Sequence, residues 1–503
     1  MESELNLSMF RAYDIRTPAE YLTPELAERL AHAEARYFRE ILQAPGVVVA
    51  HDARLTGPEY LTTAASVYQA SGLDVYYLPG ATSTSHFYFT AMQHPECAAV
   101  MFGASHNPAG DTGQKILGPG VVPIAEHIGP AGGLDCIREL YLAGASGAST
   151  HPGHFRAVDS LGDYLDYSLS LAGVAPGSLE GVPVFQDYLC GAGGREMALA
   201  FGRAGAMLTP LHYAADGRFP LGDPNPVKDA VVREGKRVLS QGDFLAGFFF
   251  DGDADRMDVY GSGARYLSSS FVYAAILPHI RARFPDEDAA VFADLKSNPL
   301  AVMQMARAGV TVKVIRNGHS QIKDSILADP EVFGAVEESA HFYEAFTLGS
   351  QGPFATENTL YLALLVTRAW KEHPERFEEL FELQATTSRE REWGHYFPND
   401  GSRADAMEEV LRHFEAEGAL AKTEMDSGMD LEATMMRRGL PFDIDQSTQV
   451  AENWLQVCQR ISQSENGLAR WEVVAARPED AREAAEAIRR IVASHGGSAP
   501  HQG

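Results

Sequence analysis

Val47-Val48-Val49-Ala50-His51-Asp52 is a short apolar run closed by an acid, and two later stretches repeat the pattern. They are Val182-Pro183-Val184-Phe185-Gln186-Asp187 and Ala289-Ala290-Val291-Phe292-Ala293-Asp294. Runs of this length and type read as buried strands. Each leads into a helix-like segment that closes on a glycine, Gly72, Gly205 or Gly309, before a second apolar run at residues 75–78, 207–208 or 310–315. The glycines follow their aspartates by 20, 18 and 15 residues. Strand, helix and strand at such spacing predict right-handed crossovers and parallel pairing.

Each unit then offers a third strand that ends in a polar loop. Residues 98–102 run into Gly103-Ala104-Ser105-His106-Asn107-Pro108, residues 244–250 into Asp251-Gly252-Asp253-Ala254-Asp255-Arg256, and residues 332–336 into Glu337-Glu338-Ser339-Ala340-His341. In open α/β sheets ligands bind beyond the carboxyl ends of strands. Ser105 thus lies on a tight turn where a ligand would sit, although Asn107-Pro108 would equally mark a plain turn in which Ser105 bonds its own loop. In an extended loop, residues two apart point the same way, so Asp251, Asp253 and Asp255 would converge. Three such charges repel unless a cation neutralises them, and their hard oxygens suit Mg2+. A solvated acidic turn is the competing reading; an EF-hand is excluded by the missing downstream ligands. The Glu337 loop fits vicinal sugar hydroxyls, and a surface turn would explain it as well. Arg460-Ile461-Ser462-Gln463-Ser464-Glu465, with Arg470 beyond, alternates cation and hydroxyl in a way that suits phosphate or an ordinary exposed loop.

A chain of 503 residues is too long for one core. Its formal net charge of -27 argues against nucleic acid or an anionic membrane as the main partner. An anionic substrate would need basic side chains gathered locally. Neither a signal peptide nor an apolar run of membrane-spanning length is present, which predicts a cytoplasmic protein. Cys97, Cys136, Cys190 and Cys458 are scattered and read as reduced.

The fold class expected is α/β: three similar α/β domains with mixed, largely parallel sheets, plus a C-terminal α+β domain of another type. A run of small residues at 142–154 marks a first linker, and Gly261-Ser262-Gly263 a turn closing the second unit. The expected domains are residues 1–150, 151–262, 263–384 and 385–503. Residues 357–371, 403–417 and 479–493 read as helices, and the last residues as lacking fixed structure.

In this order the motifs resemble those of the α-D-phosphohexomutase family, the phosphomannomutases and phosphoglucomutases. The resemblance rests on residues 10–16 (Phe-Arg-Ala-Tyr-Asp-Ile-Arg), the Ser105 loop through Gly113 and Lys115, Asp216-Gly217-Arg218-Phe219-Pro220 with Pro224-Asn225-Pro226, the Asp251 loop, Gly318-His319-Ser320, the Glu337 loop and the Arg460 loop. It implies a four-domain fold in which Ser105 carries a phosphoryl group and binds Mg2+ with Asp251, Asp253 and Asp255. Phosphoserine would pass that group to a hexose 1- or 6-phosphate of mannose or glucose, giving a bisphosphate that turns over and returns the other phosphate. Glucose 1,6-bisphosphate or mannose 1,6-bisphosphate would activate the enzyme.

By the same resemblance, Arg16 and Arg256 stand beside the transferring group, with Arg16 alternatively pairing with Asp14. Lys115 and His319 serve as general base and acid in either order. Glu337, Ser339 and His341 belong to the sugar site. Arg460, Ser462, Ser464 and Arg470 grip the phosphate that is not reacting, assisted by Lys296.

The chain departs from the pattern at Ala254, Val336 and Ala340, which replace glycines, and Ala254 would be tolerated at negative φ. Gln463, Asn466, Gly467 and Thr112 also differ from the common residues. The competing functions are a phosphoglucosamine mutase, a non-catalytic sugar-phosphate-binding paralogue, and a metal-dependent transferase or phosphatase that works without Ser105. The sequence is compatible with a monomer or a homodimer.

Overall fold

The computed structural model describes residues 5–144, 146–462, 465 and 467–502. The chain divides into two compact units. The first holds the described residues up to Tyr266, with Gly318–Pro330 and Ala340–Glu372; the second holds Leu267–Asn317, Glu331–Ser339 and the described residues from His373 on.

In the first unit, Gly46–His51 pairs in parallel with both Ala98–Phe102 and Asp74–Ala81. Asp111–Gly118 then runs antiparallel to Ala98–Phe102, and Ile15–Pro18 antiparallel to Asp111–Gly118. Val47, Val49, Ala98, Val100 and Phe102 share a core with Leu26 and Leu30 of the helix Pro24–Arg36. That helix starts where Pro24 presets its first turn and the Thr23 hydroxyl accepts from the Leu26 amide.

A second sheet in this unit orders Met257–Gly261, Ala246–Phe250, Pro183–Asp187 and Met207–Leu211. Met257–Gly261 runs antiparallel to Ala246–Phe250, and Pro183–Asp187 runs parallel to both Ala246–Phe250 and Met207–Leu211. Gly205 ends the helix Gly194–Ala204 in the left-handed conformation, at φ 82°. His341–Leu348 and Gln351–Thr356 form an antiparallel pair.

The second unit repeats the parallel pattern with Thr311–Ile315, Ala290–Asp294 and Val332–Glu337. Its C-terminal sheet is different and wholly antiparallel, in the order Leu420–Glu424, Asp430–Arg438, Leu455–Ile461, Leu468–Ala475, Ser388–Tyr396 and His501–Gln502. Trp471 and Val473 meet Val410 and Phe414 of the helix Asp400–Ala416 and Ile488 and Val492 of the helix Pro478–Ser494 in one core. The α/β class with a distinct C-terminal sheet is therefore the architecture observed.

Local details differ from expectation. Phe155–Ala157 lies past residue 150 and still pairs with Asp74–Ala81, because the glycine- and serine-rich run before it returns the chain to the sheet edge. Residues 318–330 and 340–372 group with the first unit. Ser388–Tyr396 is a full strand of the C-terminal sheet. The tail is ordered by backbone pairing, with His501 and Gln502 opposite Gly394 and Trp393.

Glu34, wholly buried on the helix Pro24–Arg36, accepts from the Tyr68 hydroxyl at 2.5 Å. Burial outweighs this bond and pushes its carboxyl up to about 8. Its native state thus holds a proton that the unfolded chain releases near 4.5, so stability falls as pH rises between those values. Urea titrations of Glu34→Gln across this range are expected to show a flatter stability profile than those of the parent.

Candidate functional site

Ser105 follows the strand Ala98–Phe102 on a turn that holds it at φ 48°. A side-chain-bearing residue pays roughly 1–2 kcal/mol for that conformation, so the surrounding structure must enforce it. Arg54 does so. Its fully buried guanidinium donates to the carbonyls of Ser105 at 2.9 Å, Asn107 at 2.7 Å, Asp111 at 3.0 Å and Pro108. Asp52, the acid closing the strand Gly46–His51, accepts from Arg54 Nε at 3.2 Å and from the Ala104 amide at 3.1 Å. Gly103 is required beside them: a Cβ there would lie 2.4 Å from Asp52 Oδ2.

The Ser105 hydroxyl donates to Asp251 Oδ2 at 2.6 Å. Asp251, Asp253 and Asp255 are buried, and each offers an oxygen within 4.8 Å of the others, so the cluster can hold a metal ion. They converge on a turn rather than the extended loop expected, with Ala254 at φ 54°. Its φ is thus positive, contrary to expectation, and the alanine bears the strain a glycine would avoid. Gly252 admits the serine loop, since a Cβ would lie 2.6 Å from the Ser105 carbonyl oxygen.

Lys115 offsets part of the charge, donating to Asp253 Oδ2 at 2.6 Å and to Asp255 Oδ2. Asp253 Oδ2 also accepts from the Thr84 hydroxyl at 2.7 Å, while Asp253 Oδ1 and Asp255 Oδ1 accept no hydrogen bond. Burial disfavours the Lys115 ammonium, but the two aspartates outweigh it and hold the group well above its ordinary pKa. Burial and the neighbouring Asp255 and Asp253 charges push Asp251 well up. Asp255 is buried too, yet the Lys115 ammonium and the Arg256 guanidinium hold it well down.

Arg16 pairs with Asp14 at 2.7 Å, as the alternative reading had it, and also donates to Asn107 Oδ1 in the serine loop at 2.8 Å. His319 Nε2 lies 4.0 Å from Asp14 Oδ2, and its ring packs edge-on against Tyr13. Burial lowers the His319 pKa and favours a neutral imidazole. Arg256 donates to His341 Nε2 at 3.1 Å, and its backbone amide donates to Asp251 Oδ1 at 3.2 Å. On its other side, His341 Nδ1 lies 3.5 Å from Glu357, which pairs with Lys323 at 2.8 Å.

In the second unit, Glu337 ends the strand Val332–Glu337 and accepts from Asn317 Nδ2 at 3.0 Å; the same amide donates to Asp294 Oδ2 at 2.7 Å. Burial pushes Asp294 up to about 7, although Lys296 opposes the shift. Ser339 is half-buried just beyond Glu337. Its neighbour Glu338 instead turns inward to Ser270 and to Arg389 at 2.6 Å.

The Arg460 cluster is built on Glu392. Arg460 donates Nε and Nη2 to its two oxygens at 3.0 Å each, and Lys296 Nζ and Arg470 Nη1 lie 3.6 Å from it. Arg470 also pairs with Glu465. Ser462 is buried beside the strand end, its amide donating to the Leu468 carbonyl at 2.9 Å. Ser464 lies outside the described residues.

Two consecutive family models match the chain: phosphoglucomutase/phosphomannomutase alpha/beta/alpha domain I over residues 7–129, and domain II over residues 163–262. A phosphomannomutase of Salmonella montevideo is 26% identical over 356 residues, covering 69% of this chain and 75% of its own length. A protein of Xanthomonas campestris pv. campestris described as "Phosphohexose mutases" is 28% identical over 357 residues with the same coverage. A solved phosphoglucomutase/phosphomannomutase family structure from Burkholderia thailandensis covers 98% of both chains with a TM-score of 0.76 at 19% identity. The chain belongs to the α-D-phosphohexomutase family. As a phosphohexomutase it is an isomerase that works by phosphoryl transfer.

The phosphohexomutase motifs located Ser105, the three aspartates, Lys115 and the Arg460 strand. Arg54, Glu357, Lys323 and Glu392 escaped notice because none stands in such a motif. For Arg54 the available signal was its place just after a strand-ending aspartate; the others had none. Among the described residues no helix is long and apolar enough to cross a membrane.

Arg54→Met would leave Asp52 without its buried counter-charge and release the serine loop. It is expected to cost ~3–5 kcal/mol of stability, read from denaturant unfolding, and to lower activity in whatever protein still folds.

Proposed function

We propose that the chain interconverts hexose 1-phosphate and hexose 6-phosphate, with mannose and glucose phosphates as substrates, through a phosphorylated Ser105 and a hexose 1,6-bisphosphate. The observation that carries this reading is the 2.6 Å bond between the Ser105 hydroxyl and Asp251 inside a buried cluster of three acids. A serine destined only to cap its own turn has no need of three buried carboxylates. The donor set fits a divalent cation, since it is all carboxylate oxygen and two buried oxygens accept no hydrogen bond. Asp251, Asp253 and Asp255, with a phosphoryl oxygen on Ser105, would hold Mg2+, which would supply charge stabilisation to the transferring group.

The chain's own groups do the rest. Arg16 and Arg256 offset charge as the phosphoryl group passes from Ser105 to the sugar hydroxyl. Their part-buried pairings with Asp14 and His341 fix their positions. Lys115 and His319 move the proton of that hydroxyl. In the second unit, Glu337 and Ser339 bind sugar hydroxyls, and Lys296, Arg460, Ser462, Ser464 and Arg470 hold the phosphate that is not reacting. His341, through Arg256, supports the transfer step. Glucose 1,6-bisphosphate or mannose 1,6-bisphosphate would charge Ser105 at the start.

A coupled assay with mannose, glucose and glucosamine 1-phosphates, each with Mg2+ and the bisphosphate, tests the proposal. Ser105→Ala is expected to lose activity by on the order of a thousandfold or more, and Asp253→Asn by at least about tenfold. Substantial activity in Ser105→Ala would favour a transferase that uses the acids alone. Faster turnover of glucosamine phosphate would identify an amino-sugar mutase, and no turnover of any of the three would point to a binding protein.

A further inference from the structure

Arg460 and Arg470 stand directly opposite each other on the adjacent antiparallel strands Leu455–Ile461 and Leu468–Ala475. Like charges in that register repel. Glu392 relieves the repulsion from the next strand, Ser388–Tyr396, at the register shift between Glu390 and Trp393. Such irregularities re-aim side chains.

Glu392 spends both oxygens on the Nε and Nη2 edge of Arg460, the bidentate edge an arginine offers a phosphate. Lys296 and Arg470 converge on the same carboxylate at 3.6 Å, and Glu465 takes a further donor of Arg470. With Asp294 Oδ2 at 3.9 Å from Lys296, carboxylates already face all three positive charges. Glu392 is half-buried, and although its removal from water opposes the shift, Arg460, Lys296 and Arg470 hold its carboxyl far below the usual range, so it is ionised at neutral pH.

We propose that Glu392 is an internal competitor for phosphate: it occupies the Arg460 edge and draws in Lys296 and Arg470, and an incoming phosphate must displace it from them. This rests on the reading of Arg460 and Arg470 as the grip on the non-reacting phosphate. Its consequence is a deliberately weak hold, which suits an enzyme whose bisphosphate must let go and turn over between two transfers. A carboxylate that merely supports the arginines would have the opposite effect, since its loss would weaken binding.

Calorimetric titration of mannose 1-phosphate into the full-length Ser105→Ala protein separates these outcomes. Adding Glu392→Gln is expected to lower Kd roughly three- to tenfold, Glu392→Asp to change it less, and Arg460→Gln to raise it. An unchanged or raised Kd in Glu392→Gln, with Arg460→Gln still weakening binding, overturns the role of Glu392 and leaves the phosphate grip standing. A Kd unmoved by Arg460→Gln overturns the grip itself and the competitor with it. Thermal unfolding of each variant accompanies the titration; a Glu392→Gln protein that is destabilised and also binds more weakly marks Glu392 as a support for the arginines and overturns the proposal.

Discussion

Three carboxylates buried within 4.8 Å of one another are the constraint around which the first unit is arranged. Bringing such charges out of water is costly unless they are paired. Lys115 comes from the strand Asp111–Gly118, Thr84 from the start of a helix, and Ser105 from the end of another strand. To bring these groups together, the loops accept conformations that side chains disfavour. Ser105 and Ala254 have positive φ, at 48° and 54°. Each such residue costs on the order of 1–3 kcal/mol and persists only where the surrounding contacts enforce it.

The same rule governs the backbone around the serine. Asp52 and Arg54 form a buried pair whose surplus donors are all spent on loop carbonyls. A lysine could supply the charge but not the planar array of donors. In the second unit, two arginines face each other across a strand pair, and a carboxylate from a third strand makes that tolerable. Asp52 and Arg54 are close in sequence, but Lys115 stands 138 residues from Asp253 and Glu392 68 residues from Arg460, so the charge that opposes each cluster comes from far along the chain.

That separation explains what could be read in the sequence. Strand ends, crossover helices and the three polar loops are local, so apolar runs closed by Asp52, Asp187 and Asp294 announced them. The convergence of Asp251, Asp253 and Asp255 was anticipated for a mistaken reason, because a left-handed residue at Ala254, not an extended loop, turns them together. Arg460 was read as a cation facing outward to a ligand; its partner Glu392 lies 68 residues away on Ser388–Tyr396, a strand that the sequence reading did not single out. Lys323 and Glu357 are joined only by tertiary packing, and their helix and loop carry no pattern that distinguishes an ion pair from solvated charge.

The central claim is that Ser105 is the phosphate carrier. Peptide mass spectrometry of the phosphatase-treated protein, before and after incubation with glucose 1,6-bisphosphate and Mg2+, tests it most directly. The account predicts one added phosphate, located on the peptide that contains Ser105, whose phosphoryl group, once isotopically labelled, passes into the hexose phosphate supplied. A Ser105 peptide that stays unmodified while the protein turns over substrate would contradict it.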